Sequence, residues 1–415
     1  MSAGAPGDLR EALAMTLALQ PVGEPAGNVT IARGAFEGRS VHAALVENRT
    51  ASGSIGALEG ERLAAVFRVA TIERSPLVLF LDSAGAKVSE GLEALGAFRR
   101  LFRAGLEAAL AGAPIAALLG RNCFGGASML AHLAGQRLFG PATRLGMSGP
   151  AVLAAAAGMD PLDEMFRAMA EAAMSPAARA KASEANRTWS PGTDITPWLG
   201  EALAPDGDAA ARFRLRHESL ALRLGRPPAA APWEALRRRE LERIYPGGYE
   251  ARESDALLEG TGRNAVGEES FLGIVGNKPL GAERAWRFAD AAWRAAKAQA
   301  APLRVFLDCA SHATQLEEER IVLTEYVVDM SLALAAAARA RPVELTILGK
   351  AGGGVYVALA APARRVSSVH GADIQVLPGS AVAAILGSSR EAVPSFDNYR
   401  ASGVADEELK LGLLP

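Results

Sequence analysis

Residues 76–91 read PLVLFLDSAGAKVSEG, and residues 302–319 read PLRVFLDCASHATQLEEE. Each is a short, mostly apolar run that ends in Leu-Asp, passes through small residues and then starts a helical pattern. Apolar runs without polar alternation are what strands buried on both faces show. The echo continues downstream. APIAALLGRNCFGGASMLAHLAGQRLFG from Ala113 is matched by RPVELTILGKAGGGVYVALAAPARRVSS from Arg341. Each reads as strand, Gly-rich turn, Ala-rich helix and short strand. MSGPAVLAA (147–155) is matched by VLPGSAVAAILG (376–387). The pairs Asp82/Asp308, Gly120/Gly349 and Pro150/Pro378 lie 226, 229 and 228 residues apart. A near-constant offset across three landmarks implies one fold used twice in tandem. Asp82 is then expected over Asp308, and Gly125 near Gly353.

Outward from these repeats, VTIARGAFEGRSVHAALVE (29–47) reads as a hairpin turning at Glu-Gly. Residues 160–210 alternate charged helical pieces with SPGTD and APDGD breaks and read as helical trim. RPPAAAP (226–232) reads as a semi-rigid linker, followed by a charged helix, WEALRRRELERIY. The boundary is set near residue 230, which gives domains of 1–230 and 231–415. Strands feeding turns and helices make the class α/β, with helices covering sheets.

The chain has 415 residues, half of them hydrophobic and only 6% aromatic, so its cores rest on Ala, Leu and Val. Lys+Arg is 44 against Asp+Glu 46, which excludes nucleic-acid binding driven by bulk positive charge. Two Cys exclude a disulfide scaffold and a four-Cys zinc site. No basic-then-apolar leader opens the sequence, and no apolar run reaches the roughly 18 residues of a membrane span. A soluble cytoplasmic enzyme, with neither nucleic acid nor membrane as partner, is the expectation.

Chemistry is expected at the Gly-rich turns, NCFGGAS (122–128) and GKAGGGVY (349–356). Glycine lets a ligand approach the backbone, and first-turn N–H groups stabilise an anion or a developing oxyanion. A tight turn needing glycine for packing is the plainer reading of either one. Its use at matched positions in both repeats favours function. GKAGGG is not a phosphate-binding P-loop, because Ala351 follows Gly-Lys, and GTGRNAVG (260–267) lacks dinucleotide-binding spacing. No two of the five His stand at metal-ligand spacing, so no metal site is expected. His312 follows the Asp308 turn, as a hydrogen-bonding loop residue or a general acid. His132 reads as a packed or capping residue. Cys123 and Cys309 read as small buried hydrophobes rather than nucleophiles. Glu317–Glu319 read as the charged first turn of a long apolar helix.

These motifs together resemble the carboxyltransferase branch of the crotonase-type superfamily. The nearest resemblance is to the β and γ subunits of biotin-independent malonate decarboxylase, joined in one chain. GAFEGRSVHAALVE, GSIGALEGERL, LVLFLDSAGAKVSEG, NCFGGAS and RLGMSGP carry the β-type likeness over roughly residues 25–160. FLDCASHATQLEEE, GKAGGGVYVALA and VLPGSAVAAILG carry the γ-type likeness over about 255–395.

The resemblance implies two tandem crotonase/ClpP-like domains, each a spiral of ββα units, with the active site where a β-type domain faces a γ-type domain. It implies two backbone oxyanion holes, one on Gly125 and Gly126 and one around Gly353, Gly354 and Val355. Ser83 and Gly85 are expected to line the bound thioester arm. No cofactor is expected to be tightly bound. The implied substrate is a malonyl thioester on the phosphopantetheine-like (dephospho-CoA-type) arm of an acyl carrier protein. Loss of CO2 leaves an enolate, and water or His312 supplies the proton. The implied partners are the acyl carrier protein subunit and an acyl-carrier transferase subunit, around a homodimer. The alternatives are the carboxyltransferase component of a biotin-dependent acyl-CoA carboxylase and a non-catalytic assembly subunit.

Overall fold

The computed structural model describes residues 7–160, 163–205, 207–225, 234–235, 239–297, 301–377, 382 and 393–410. These residues form two compact units. The first takes the chain to Glu90, Arg100–Ala211 and Thr314–Glu325. The second takes Gly91–Arg99, Arg212–Ala313 and the chain from Tyr326 onward. The expected boundary near residue 230 and the VLPGSAVAAILG echo from Pro378 fall largely outside the described residues.

The first unit holds β1 (Gln20–Pro21), β2 (Val29–Phe36), β3 (Arg39–Val46), β4 (Leu77–Ser83), β5 (Ile115–Phe124), β6 (Gln136–Phe139), β7 (Arg144–Gly146) and β8 (Asn186–Thr188). They lie in the order β1-β2-β3-β4-β5-β6-β8, with β7 beside β5. The expected hairpin is β2–β3. Its turn residues Glu37 and Gly38 have φ of +48° and +76°, which suits the right-handed twist of the flanking strands. From β3 on, every pairing is parallel, and β4 is buried from Leu77 to Leu81. Helices α1 (Leu9–Thr16), α2 (Ala57–Glu73), α3 (Leu92–Leu110), α4 (Gly126–Ala131), α5 (Pro150–Ala157), α6 (Glu164–Met174), α7 (Pro176–Ala182) and α8 (Thr196–Ala202) follow in chain order. Leu9, Leu13 and Leu17, on and just past α1, join Val78, Ala116, Leu118, Trp198 and Leu199 in one core. The stretch expected as helical trim is α6 to α8, and β8 within it extends the sheet.

The second unit repeats this order with β9 (Glu234–Ala235), β10 (Tyr249–Ser254), β11 (Leu257–Asn264), β12 (Gly267–Ile274), β13 (Leu303–Cys309), β14 (Val343–Gly352), β15 (Arg365–Val369), β16 (Asp373–Gln375) and β17 (Glu407–Leu409). The path is β17-β15-β14-β13-β12-β11-β10-β9, with β16 beside β14. The hairpin β11–β12 is antiparallel and the pairings beyond β12 are parallel. The two sheets are therefore one mixed topology used twice, the α/β architecture of tandem crotonase-like domains. GTGRNAVG is the tip of β11–β12, where the Asn264 carboxamide accepts the N–H of Val266 and Gly267. The landmark Gly120/Gly349 is one residue off the true register, because β5 and β14 run 228 apart: Leu119 pairs with Leu81 as Ile347 pairs with Leu307. Helices α9 (Ala209–Arg223), α10 (Arg239–Ile244), α11 (Ala282–Lys297), α12 (Leu316–Arg320), α13 (Leu323–Ala338), α14 (Gly353–Ala360) and α15 (Phe396–Ser402) complete the described elements. Of the charged segment WEALRRRELERIY, only Arg239–Ile244 is helix among the described residues, and Glu234–Ala235 is strand. No helix among them is long and apolar enough to cross a membrane.

His217 fastens α9 inside the second unit. Its Nδ1 lies 2.6 Å from Asp329 Oδ2 on α13, and its ring stacks on Trp286 of α11 at 5.1 Å. Trp293 Nε1 donates to the other Asp329 oxygen at 3.2 Å. Burial opposes the imidazolium, but Asp290 and Asp329 outweigh it and push the pKa up to about 9. The folded state therefore holds this proton more tightly than the unfolded chain. The stabilisation is complete below about pH 6.5 and is lost as pH rises through about 9. Urea unfolding across that window is expected to show the decline. His217→Gln is expected to flatten this part of the curve and to lower stability at pH 7.

Candidate active site

In the first unit β4 and β5 stay in register to Leu81/Leu119 and then slip, so that Ser83 stands opposite Cys123. The cause is local. The Asp82 carboxylate accepts the N–H of Asn122 at 3.1 Å, drawing β5 into a bulge. Gly120 leaves the space, since a Cβ there would sit 2.5 Å from the Asp82 Cβ. The chain then turns at Gly125, whose φ of +54° and ψ of −127° suit glycine alone.

Gly125 and Gly126 are partly exposed, between buried Cys123–Phe124 and buried Ala127–Ser128. The Gly125 N–H is already engaged. It donates to the carbonyls of Gly146 and Met147 at 3.2 Å each. Gly126 opens α4, and a first-turn N–H has no acceptor within its own helix. Of the two residues expected as donors, Gly125 has its N–H engaged within the protein and supplies the conformation, while Gly126 is partly exposed at the start of α4.

Gly85 is brought directly to this turn. With φ at +96°, its missing Cβ would stand 2.7 Å from the Phe124 carbonyl oxygen and 3.3 Å from the Gly126 nitrogen. Ser83 is buried, and its Oγ accepts the Gly85 N–H at 3.1 Å. Its hydroxyl shapes the 83–85 loop from inside rather than presenting itself at the surface.

The loop that receives the Gly125 N–H is braced by residues the sequence reading missed. Glu319 is buried, and its carboxylate accepts the N–H of Ser148 at 2.7 Å and of Met147 at 3.2 Å. Arg179, equally buried, donates to the Leu145 carbonyl through Nε and Nη2 and to the Glu319 carbonyl through Nη1. Burial raises the Glu319 pKa, against the lowering pull of Arg179 and the two amides. Glu317–Glu319 form a charged first turn, but of the short α12 and not of the long apolar α13, and Glu319 is buried there. Val322, with φ of +64°, lies between α12 and α13. A β-branched residue rarely adopts that φ. Nothing in the local sequence distinguishes Glu319 from Glu317 and Glu318. Its role is set by amides more than 170 residues away.

The second unit builds the same turn. The Asp308 carboxylate accepts the Lys350 N–H at 2.9 Å, the match of Asp82 and Asn122. A Cβ on Gly349 would collide with that carboxylate, and one on Gly352 with the Ala310 carbonyl. Gly353 has φ of +52°, the counterpart of Gly125. Gly354 is partly exposed, as Gly126 is, and Gly353 and Val355 are buried.

His312 bridges to Leu280 and is buried. Burial pushes its imidazole down to about 4, which favours the neutral ring near pH 7. Burial likewise raises both thiols: Cys123, and Cys309, whose Sγ bonds to the Lys278 and Ser311 carbonyls. Neither is a ready nucleophile. His132 ends α4, with Nδ1 2.7 Å from the Ser128 carbonyl.

Gly85→Ala is the sharpest test of this geometry. The added methyl meets backbone, at a φ an L-residue rarely adopts. The variant is expected to lose about 2 kcal/mol or more of stability, read by urea unfolding.

Residues 7–173 match the carboxyl transferase domain family. Over 153 residues the chain is 31% identical to the methylmalonyl-CoA carboxyltransferase 12S subunit of Propionibacterium freudenreichii subsp. shermanii, covering 36% of this chain and 29% of that protein. Over 126 residues it is 34% identical to the acetyl-coenzyme A carboxylase carboxyl transferase subunits beta/alpha of Parafrankia, covering 30% and 20%. The chain thus spans less than a third of the length of these two relatives. Among solved structures, the Pseudomonas malonate decarboxylase hetero-dimer aligns at 22% identity and TM-score 0.41, over 51% of this chain and 94% of that one. The transcarboxylase 12S structure aligns at 19% and 0.39, over 97% and 86%.

Proposed function

We propose that this chain acts on an acyl thioester at the carbon next to its carbonyl, and that the reaction is decarboxylation of a malonyl thioester carried on an acyl carrier protein. The observation that carries this reading is the matched pair of turns. Each has a left-handed glycine, Gly125 or Gly353, followed by a partly exposed glycine, Gly126 or Gly354, at the start of a helix.

The bond from the α-carbon to the carboxylate breaks, CO2 leaves, and the electron pair moves onto the thioester oxygen as an enolate. A fixed amide aimed at that oxygen stabilises the transition state more than the ground state, because charge gathers there only as the bond breaks. Gly126 is the donor in the first unit and Gly354 in the second. The missing side chains let the thioester approach the backbone. His312, held neutral, is a poor acid at pH 7, so water quenches the α-carbon. The phosphopantetheine-like arm, the carrier protein and the acyl-carrier transferase belong to this reading.

A second reading is supported by the 31–34% identity of 126–153 residues of the chain to carboxyltransferases. In it the same amides stabilise the same enolate while CO2 passes to or from biotin on another subunit. Avidin inhibition marks that reading, and dependence on acylated carrier protein marks decarboxylation.

Gly126→Ala and Gly354→Ala test the donors. Gly126 has no positive φ, so alanine in its helical turn is neutral or mildly stabilising if the residue is structural only. If the amide is catalytic, a methyl beside it displaces the carbonyl. We expect kcat on malonyl-carrier protein to fall by about 100-fold, with the melting temperature nearly unchanged. Near-normal kcat in both folded variants would overturn the reading and favour an assembly role.

A further inference from the structure

The Gly125–Gly126 peptide leaves one freedom open. Two adjacent glycines let a peptide plane rotate without moving the chain on either side, and a rotated plane turns its N–H away. In a trans peptide the N–H of Gly126 points opposite to the C=O of Gly125, and no cis bond is present among the described residues. Whatever holds the Gly125 carbonyl therefore aims the Gly126 amide.

Two donors hold that carbonyl. Ser128 Oγ lies 2.7 Å from it, and Met129 N–H donates to it at 3.1 Å. Ser128 is fully buried, and its Oγ is also 3.3 Å from Thr324 Oγ1, itself fully buried. A serine hydroxyl has one proton. With that proton on the Gly125 carbonyl, Thr324 must be the donor to Ser128. The chain runs Thr324 O–H to Ser128 Oγ, and Ser128 O–H to Gly125 O. On its other side Gly125 is tied through its N–H to Gly146 and Met147. The second turn differs at this position among the described residues. Its matched residue is Tyr356, whose Oη donates to the Val404 carbonyl at 2.6 Å.

We infer that Ser128, oriented by Thr324, is a positioning residue that fixes the direction of the Gly126 N–H. The inference rests on the reading of Gly126 as an oxyanion donor, and it assigns preorganisation of the first turn to a hydroxyl pair that never touches substrate. Ser128 gives that carbonyl a second, shorter bond besides the helical one from Met129.

The test uses the full chain with Ser128→Ala, Ser128→Thr, Thr324→Val and Thr324→Ser. Ser128→Ala is expected to lower kcat on malonyl-carrier protein on the order of 10-fold to 100-fold, with KM within about twofold. Ser128→Thr and Thr324→Ser keep the hydroxyls and are expected to hold kcat near the parent value. Thr324→Val, which keeps the shape, is expected to fall between. Crystal structures of the parent and Ser128→Ala give a readout that does not need turnover: the Gly125–Gly126 plane is expected to be single in the parent and rotated or doubled in the variant. An unrotated plane in Ser128→Ala, or parent-like kcat with that variant, overturns the inference. A purely structural Ser128 would lower the melting temperature and leave both kcat and the plane unchanged. If the parent has no activity on the thioester but the plane rotates, the functional reading fails while the positioning role stands.

Discussion

One carboxylate per unit governs the shape of each candidate site. Asp82 and Asp308 are the next-to-last residues of a buried parallel strand, and each accepts a backbone N–H from the neighbouring strand three residues after the last in-register pair. A parallel pair buried on both faces has no slack, so a side chain can capture a neighbour's amide only if the neighbour bulges. The bulge needs a residue without a Cβ, which Gly120 and Gly349 supply. It delivers the chain to a left-handed glycine and a helix start. Removing the carboxylate would leave the amide of Asn122 or Lys350 without that partner and the turn without its lead-in.

The first unit adds a buried polar frame around its turn. Arg137 donates to Asn186 at 2.6 Å and to Glu325 at 3.2 Å, and Asn186 in turn donates to the Arg179 carbonyl. Arg179 and Glu319 then hold the loop from Leu145 to Ser148. Such pairs add little net stability over an apolar packing, but deleting one partner strands the other and costs several kcal/mol. Their use here is geometric: they fix the carbonyls that receive the Gly125 amide. The second unit has a partly buried ion pair away from its turn. Arg304 pairs with Glu269 at 2.5 Å, which also accepts from Tyr245 at 2.8 Å, under the aromatic core of Tyr245, Phe271 and Phe306. The same fold thus carries two different polar skeletons.

The sequence by itself determined the repeat, the α/β class and the two glycine turns. These are local: an apolar run without alternation makes a strand buried on both faces, and Glu37-Gly38 makes a hairpin turn wherever it stands between strands. Gly125 and Gly353 were legible because the same glycine pair stands between strand and helix at matched positions in both repeats. The tertiary structure decided which atoms those turns make available. It engages the Gly125 amide, buries the Ser83 hydroxyl, holds His312 neutral and draws Glu319 out of a run of three glutamates. Each of these depends on desolvation or on a hydrogen-bond partner far away in the chain. A residue's letter records its chemistry and its neighbours record its secondary structure, but burial and partner are properties of the packed chain alone.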